Sequence, residues 1–203
     1  GTGNAYSITI DDASVDAAAL NTLDEKTTVV IDASATITLS GTSTEINTAF
    51  TSPGISGLRD QDVILSDISL TASVLNALDD NTTGSIDASA VTALTGTATD
   101  LIEAVTSSGI TGLGDEAITV DSGTATTAQA NALAAATSGI VTATIAEGDL
   151  ATLAALNGTG NAYSITIDDA SVDAAALNTL DEKTTVVIDA SATITLSGTS
   201  TEI

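Results

Sequence analysis

The sequence predicts an α/β fold, a right-handed solenoid whose rungs are short parallel strands joined through short helices. Three observations carry that reading. Residues 1–46 and 158–203 are identical, residue for residue, at an offset of 157. Within that unit a second period of 55 returns Ile31-Asp32-Ala33-Ser34 as Ile86-Asp87-Ala88-Ser89 and Gly54-Ile55-Ser56-Gly57-Leu58 as Gly109-Ile110-Thr111-Gly112-Leu113. Inside each copy, β-branched runs alternate with segments of helical spacing. A chain that repeats itself is quasi-one-dimensional, because each piece buries its apolar face only against its sequence neighbours. The whole of 1–203 therefore reads as one continuous array, a full unit (1–157) followed by the start of the next (158–203), with sub-repeats at about 28–82, 83–137 and 138–184.

The strands come first. Ser7–Ile10, Val29–Ile31, Val63–Leu65, Ile118–Val120 and Val141–Ile145 are too short for helices and rich in β-branched residues. Each opens a rung. Short rungs cover 8–27, 63–82 and 118–137; long rungs cover 28–62 and 83–117, and a shortened one covers 138–164. Helices follow. Val15, Ala19 and Leu23 are spaced i, i+4, i+8, and Leu70, Val74 and Leu78 repeat the pattern. Ile46, Ala49 and Phe50, then Leu101, Ala104 and Val105, give i, i+3, i+4, as do Leu150, Leu153 and Ala154. Ser, Thr or Asp precedes most of these segments as an N-cap would, and Pro53-Gly54 and Ser108-Gly109 break them. The expected inward ladder is Ile8, Val30, Val63, Ile86, Ile118 and Val141, closed from the helical side by Val15, Leu23, Leu70, Leu78, Leu101 and Val105.

Stacked strands lie ~4.8 Å apart, whereas packed helices need ~8–10 Å. Alternating short and long rungs would relieve the mismatch by placing successive helices at different corners of the cross-section. The alternative fold is an all-β parallel β-helix, in which the same segments form further strands.

Composition bounds function. Three Lys+Arg against 27 Asp+Glu leave a formal net charge of −24. Phosphate backbones are bound through Lys and Arg, so nucleic acid is excluded as a partner, and anionic lipid with it. No apolar run reaches the ~18 residues that span a bilayer, so no membrane insertion is expected in this segment. His and Cys are absent. That removes the commonest catalytic base, thiolate metal sites and disulfides.

Candidate chemistry is correspondingly thin. The acids that follow the predicted strands, Asp11, Asp32, Asp67, Asp87 and Asp121, form the one column that suggests a metal. Stacked carboxylates suit Ca²⁺, which takes several oxygen ligands. No calcium-loop motif accompanies them, and a short acid after a strand also serves as an Asx-turn or N-cap. The Asn column (Asn21, Asn76, Asn131, Asn157) reads as an internal ladder tying turns together. Asp24-Glu25 and Asp79-Asp80 read as solvated turns with no nucleophile beside them. Gly1-Thr2-Gly3-Asn4 lacks the third Gly and the Lys of a phosphate loop, and Asn81-Thr82-Thr83 is a sequon by pattern alone. No catalytic residue and no cofactor is expected, calcium being the one ion the acids allow.

The runs VDAAALNTLDEKTTVVIDASATITLSGT and GITGLGDEAITVDSGTATTAQANALAAATSGIVTATI resemble repeats in giant exported surface proteins of marine bacteria, cyanobacteria especially. The resemblance implies export and an extracellular or cell-surface role as adhesin stalk, sheath or filament. It departs from calcium-repeat adhesins, whose glycine-rich nonapeptide is missing here. The expected function is that of a structural rod segment and not an enzyme. Its partners are neighbouring repeat units of the same chain, with self-association into fibres or sheets. The alternative is a calcium- or polysaccharide-binding repeat module.

Overall fold

The computed structural model describes residues 4–203. In chain order the first elements are β1 (Ser14–Asp16), α1 (Ala17–Asp24), β2 (Ile31–Asp32), β3 (Thr38–Gly41), α2 (Ser43–Thr51), β4 (Ile55–Ser56), β5 (Asp62–Leu65), β6 (Ser69–Thr71), α3 (Ala72–Asp79) and β7 (Ile86–Asp87). There follow β8 (Ala93–Thr97), α4 (Ala98–Thr106), β9 (Ile110–Thr111), β10 (Ala117–Ser122), α5 (Thr127–Ala136), β11 (Val141–Thr144) and α6 (Leu150–Leu153). The last are β12 (Ala162–Ser164), β13 (Ser171–Asp173), α7 (Ala174–Asp181) and β14 (Thr195–Ser197). The fold is mixed α/β with parallel sheets. The all-β alternative is overturned by seven helices among the described residues. Their N-termini explain why the chain turns helical there: the side chains of Asp16, Thr42, Thr126, Asp149 and Asp173 each accept an N–H of the first turn. Glu45 and Gln129 complete capping boxes at α2 and α5.

The elements gather into two compact units, Gly1–Thr92 with Ser107–Leu113, and Ala93–Thr106 with Gly114–Ile203. In the first, β1-β3-β5-β7-β9 form one parallel sheet and β2-β4 a second. The register shows the true turn length. Ser14 pairs with Thr38, Thr38 with Asp62 and Ile86 with Ile110, always from i to i+24. Between β5 and β7 the step is i to i+23, Val63 pairing with Ile86. Each step passes through one helix. An apolar ladder runs up this sheet through Val15, Leu39, Val63, Ile86 and Ile110, with Leu39, Val63 and Ile86 fully buried. In the second unit β8, β10, β11 and β12 pair in parallel, burying Leu94, Ile118, Val141 and Tyr163, and β13 pairs with β14.

This register corrects several expectations. The expected short and long rungs are nearly equal instead: from Ala17 to Thr127 successive helices begin alternately 26 and 29 residues apart, together one period of 55, and the last two begin 23 and 24 residues on. The strands β3 and β8 fall in stretches of the long rungs to which the sequence assigned no element. Val15 and Leu70 belong to strands, not helices, because the caps Asp16 and Thr71 stand after them. The helical phase shifts accordingly: Ala17 and Leu20 are buried in α1, and Ala72, Leu75 and Leu78 in α3, while Val74 faces solvent. Val30 is 51 % exposed and Ile31 takes its inward place, one residue later on the pleat. Ile8, Leu23 and Val105 are half-buried, whereas Val63, Leu70, Leu78, Ile86, Leu101, Ile118 and Val141 are buried as expected. Successive helices also do not separate to different corners in the first unit. There α1 packs on α2, and the Asn21 side-chain amide donates to the Glu45 carbonyl at 2.8 Å.

Candidate functional site

The five candidate calcium acids do not converge. Ladder partners on these strands lie at i+23 or i+24, so positions that match across the period of 55 never share a rung. On its ladder Asp32 has Thr9 on one side and Ser56 on the other, and Asp87 has Ile64 and Thr111. Asp11 and Asp121 are exposed. The other three bond backbone. Asp32 Oδ1 accepts the Ser34 N–H and Asp87 Oδ1 the Ser89 N–H, both at 3.0 Å. These are Asx-turns, and the bonds from the Ser side chain and then its backbone hold both carboxyls below the usual carboxylate range. Asp67 accepts the Ser43 N–H at 2.6 Å and its hydroxyl at 3.2 Å, capping α2 from the turn that follows it. No cluster of three or more carboxylates stands among the described residues.

What the structure does bring together is a set of bonds that tie one turn to the next. Asn side-chain amides donate to the carbonyl at i+24: Asn21 to Glu45, Asn131 to Ala155 and Asn178 to Glu202, at 2.8, 2.8 and 2.9 Å. Asn157 joins through its backbone, donating to Asn131 Oδ1. Asn21 and Asn131 thus make the inter-turn ties their residue type suggests. A set of threonines makes the same kind of tie. The hydroxyls of Thr27, Thr82, Thr137 and Thr184 each donate to the carbonyl at i−21, and each accepts the N–H at i+2. Their spacing of 55, 55 and 47 is in the sequence, but among so many threonines it stands out only once the turn length is known.

Asp24 and Asp79, expected as solvated turns, are half-buried. Each accepts a serine hydroxyl at 2.6 Å, from Ser52 and Ser107 respectively, and each of those serines accepts the N–H of Gly54 or Gly109. A Cβ on either glycine would collide with the carboxylate, so this is a packing requirement on Gly. The glycines of the superficial phosphate loop at Gly1 and Gly3 lie outside the described residues.

A cleft of about 580 Å³ in the first unit is lined by Phe50, Pro53, Leu58, Arg59 and Asn81 among others. It holds the chain's single Arg but no carboxylate, so it lacks the acid–base pair of a hydrolytic site. Among the described residues no helix is long and apolar enough to cross a membrane. No family model matches the chain, and neither a characterised protein nor a solved structure is significantly similar to it.

Proposed function

We propose that this chain is a structural segment of a long, acidic α/β solenoid, in which each turn serves chiefly to carry the next. The observation that carries the reading is the pairing step. Most strands find their parallel partner at i+23 or i+24, one turn along, in both units, and β11 finds β12 at i+20. The polar side chains that repeat are spent on linking turns. Handedness follows from the rule for parallel crossovers. A net charge of −24 keeps such an object soluble and laterally repulsive, and salt screens the repulsion. The place for it is outside the cell, as a surface filament, sheath or adhesin stalk.

The test compares chains carrying one, two and three copies of residues 1–157 by thermal unfolding and light scattering. In a solenoid each junction adds an interface term, so stability rises with copy number. A single unit as stable as three, and monomeric, would mean independent beads and would end the proposal.

A further inference from the structure

Two copies of the 55-residue period build the same turn after a helix, and only one of them furnishes it with chemistry. The cleft beside α2 lies wholly within the first unit. It sits in mid-chain, in a turn that pairs with β3 before it and β7 after it, so no end of the chain opens it. In the next copy its Ile55, Gly57 and Leu58 return as Ile110, Gly112 and Leu113. Gly57 and Gly112 adopt φ values of 86° and 83°, so the backbone of the turn returns with them. Phe50, Pro53, Arg59 and Asn81 instead become Val105, Ser108, Gly114 and Ala136. The scaffold is shared, whereas the ring, the cation and the amide belong to one copy alone.

Arg59 is exposed, and the acids beside it in sequence are engaged elsewhere. Asp60 Oδ1 accepts the Gln61 amide at 2.9 Å, and Asp62 Oδ1 accepts the Ser85 N–H at 2.8 Å. The Arg59 guanidinium is the one charged group among the lining residues, and its planar fork suits a carboxylate. Two neutral acceptors accompany it. Gly54 and Ser56 give their carbonyls to the Ile31 and Ala33 N–H groups at 2.8 and 2.9 Å. The alternation of the strand therefore turns the Ile55 carbonyl to the edge of β4 that β2 does not cover. Asn81 donates through Nδ2 to Asn47 Oδ1 at 3.2 Å and keeps its own Oδ1 as an acceptor. Phe50, half-buried, adds an apolar face. We propose that this cleft binds a carboxylated sugar residue of an acidic polysaccharide. The carboxylate sits on Arg59, ring hydroxyls donate to Ile55 and Asn81, and the C–H face of the sugar lies on Phe50. An ionised Asp or Glu from a second copy of the chain would satisfy the Arg but bring no donor to the two acceptors. The volume of about 580 Å³ lies in the range of small-ligand sites. The proposal does not rest on the array reading, because the whole cleft lies within one unit. In an array one such site would recur every 157 residues, and a long polysaccharide would engage several at once.

The experiment titrates the 203-residue chain with a galacturonate tetrasaccharide in a calorimeter. A chelator is present, so that no divalent cation bridges two anionic molecules. Salt is held at about 0.5 M, where a Debye length of about 4 Å screens the net charge of −24. Saturable one-to-one binding is expected, since the chain contains the cleft sequence once. Arg59→Gly and Phe50→Val install the residues that the next copy carries on the same scaffold. Each should weaken binding about tenfold or more with circular dichroism unchanged, and so should reduction of the sugar carboxylates to alcohols. The reduced saccharide keeps the test valid if a chain variant misfolds. No saturable binding, or equal binding by the Arg59→Gly chain or of the reduced saccharide, overturns the proposal. Sedimentation of the chain alone supplies the last arm. Pairing of chains that Arg59→Gly abolishes would make a second copy the occupant of the cleft and overturn the saccharide assignment.

Discussion

One sequence appears twice in this molecule with different neighbours. Residues 4–46 are followed by further turns, and residues 161–203 are preceded by them. Tyr163 is fully buried beside Ala143 and donates to the Ala130 carbonyl at 3.4 Å, while Tyr6, the same residue in the same sequence, is 61 % exposed. At the other end the order reverses: Leu39 is covered and Leu196 is not. The local elements are nonetheless the same. α1 and α7 have identical sequences, caps and C-terminal bonds, and β1 pairs β3 as β13 pairs β14. Local sequence therefore sets the turn, and the adjoining turns set its burial. In a repeat array stability would sit in such nearest-neighbour terms.

The sharpest break would come from Leu39→Asp set against Leu196→Asp. A carboxylate forced into the closed ladder is unpaired, and its cost should be about 4 kcal/mol or more. At Leu196 the same change should stay within about 1 kcal/mol. Urea unfolding measures both. Equal costs would mean that neighbours do not decide burial, and the comparison would collapse.

The tyrosines give a second contrast. Tyr163→Ala should cost about 3–5 kcal/mol as a large core truncation, and Tyr6→Ala about 0.5 kcal/mol or less. Burial also pushes the Tyr163 hydroxyl up to about 12 from 10.0. Because the folded state holds that proton longer, stability should be intact below pH 10 and fall as pH rises from 10 towards 12. Unfolding midpoints across that range check the sign, and Tyr163→Phe should flatten the slope.

The periods of 157 and 55 are legible because identical or near-identical copies align directly, and helical spacing marks most of the helices, but not their starts, since the caps Asp16 and Thr71 stand after Val15 and Leu70. The turn length is not. A period of 55 is no multiple of the i to i+24 pairing step, so it does not reveal which strands are neighbours. The strand β3, with Leu39 inward, lies hidden in a Thr- and Ser-rich stretch. The same cause misplaces the candidate acids as a column. Capping acids and metal acids also share a spacing, and only the ladder register separates them. Inter-turn bonds such as Thr137 to Glu116 join positions i and i−21, a spacing no local pattern reveals.

A smaller effect compares Gln61 with Glu116, which hold the same place in successive copies of the shorter repeat. The Gln61 amide donates to the Thr36 and Gly57 carbonyls at 3.0 Å each. Glu116 is fully buried; its Oε2 accepts the Gly114 and Asp115 N–H groups, but Oε1 has no partner. An amide supplies donors where the carboxylate supplies none, so Glu116→Gln should stabilise by about 1–3 kcal/mol at neutral pH. Unchanged or lower stability would show that the carboxylate is satisfied by a group outside the protein.

The smallest effect should be blind to neighbours altogether. Asp32 and Asp189 occupy the same place in the two copies, and each accepts the N–H at i+2, from Ser34 and Ser191, at 3.0 Å. The Ser34 hydroxyl and N–H hold the Asp32 carboxyl below its ordinary 3.8, and the Ser191 N–H and hydroxyl do the same for Asp189. Yet one copy lies in a covered turn and the other in an open one. A depressed carboxyl contributes stability above its unfolded value that is lost as pH falls through the lower folded value. Each Asx-turn should therefore contribute fully above about pH 4 and fade below it. Asp32→Asn and Asp189→Asn should remove equal, small shares of that acid-sensitive stability, readable as matching shifts in the pH dependence of the thermal midpoint between about pH 5 and 2. Matching shifts would separate what a turn does for itself from what its neighbours do for it. A larger loss at Asp32 would mean that even this i to i+2 bond draws on the covering turn, and the division between local structure and inter-turn packing would have to be redrawn.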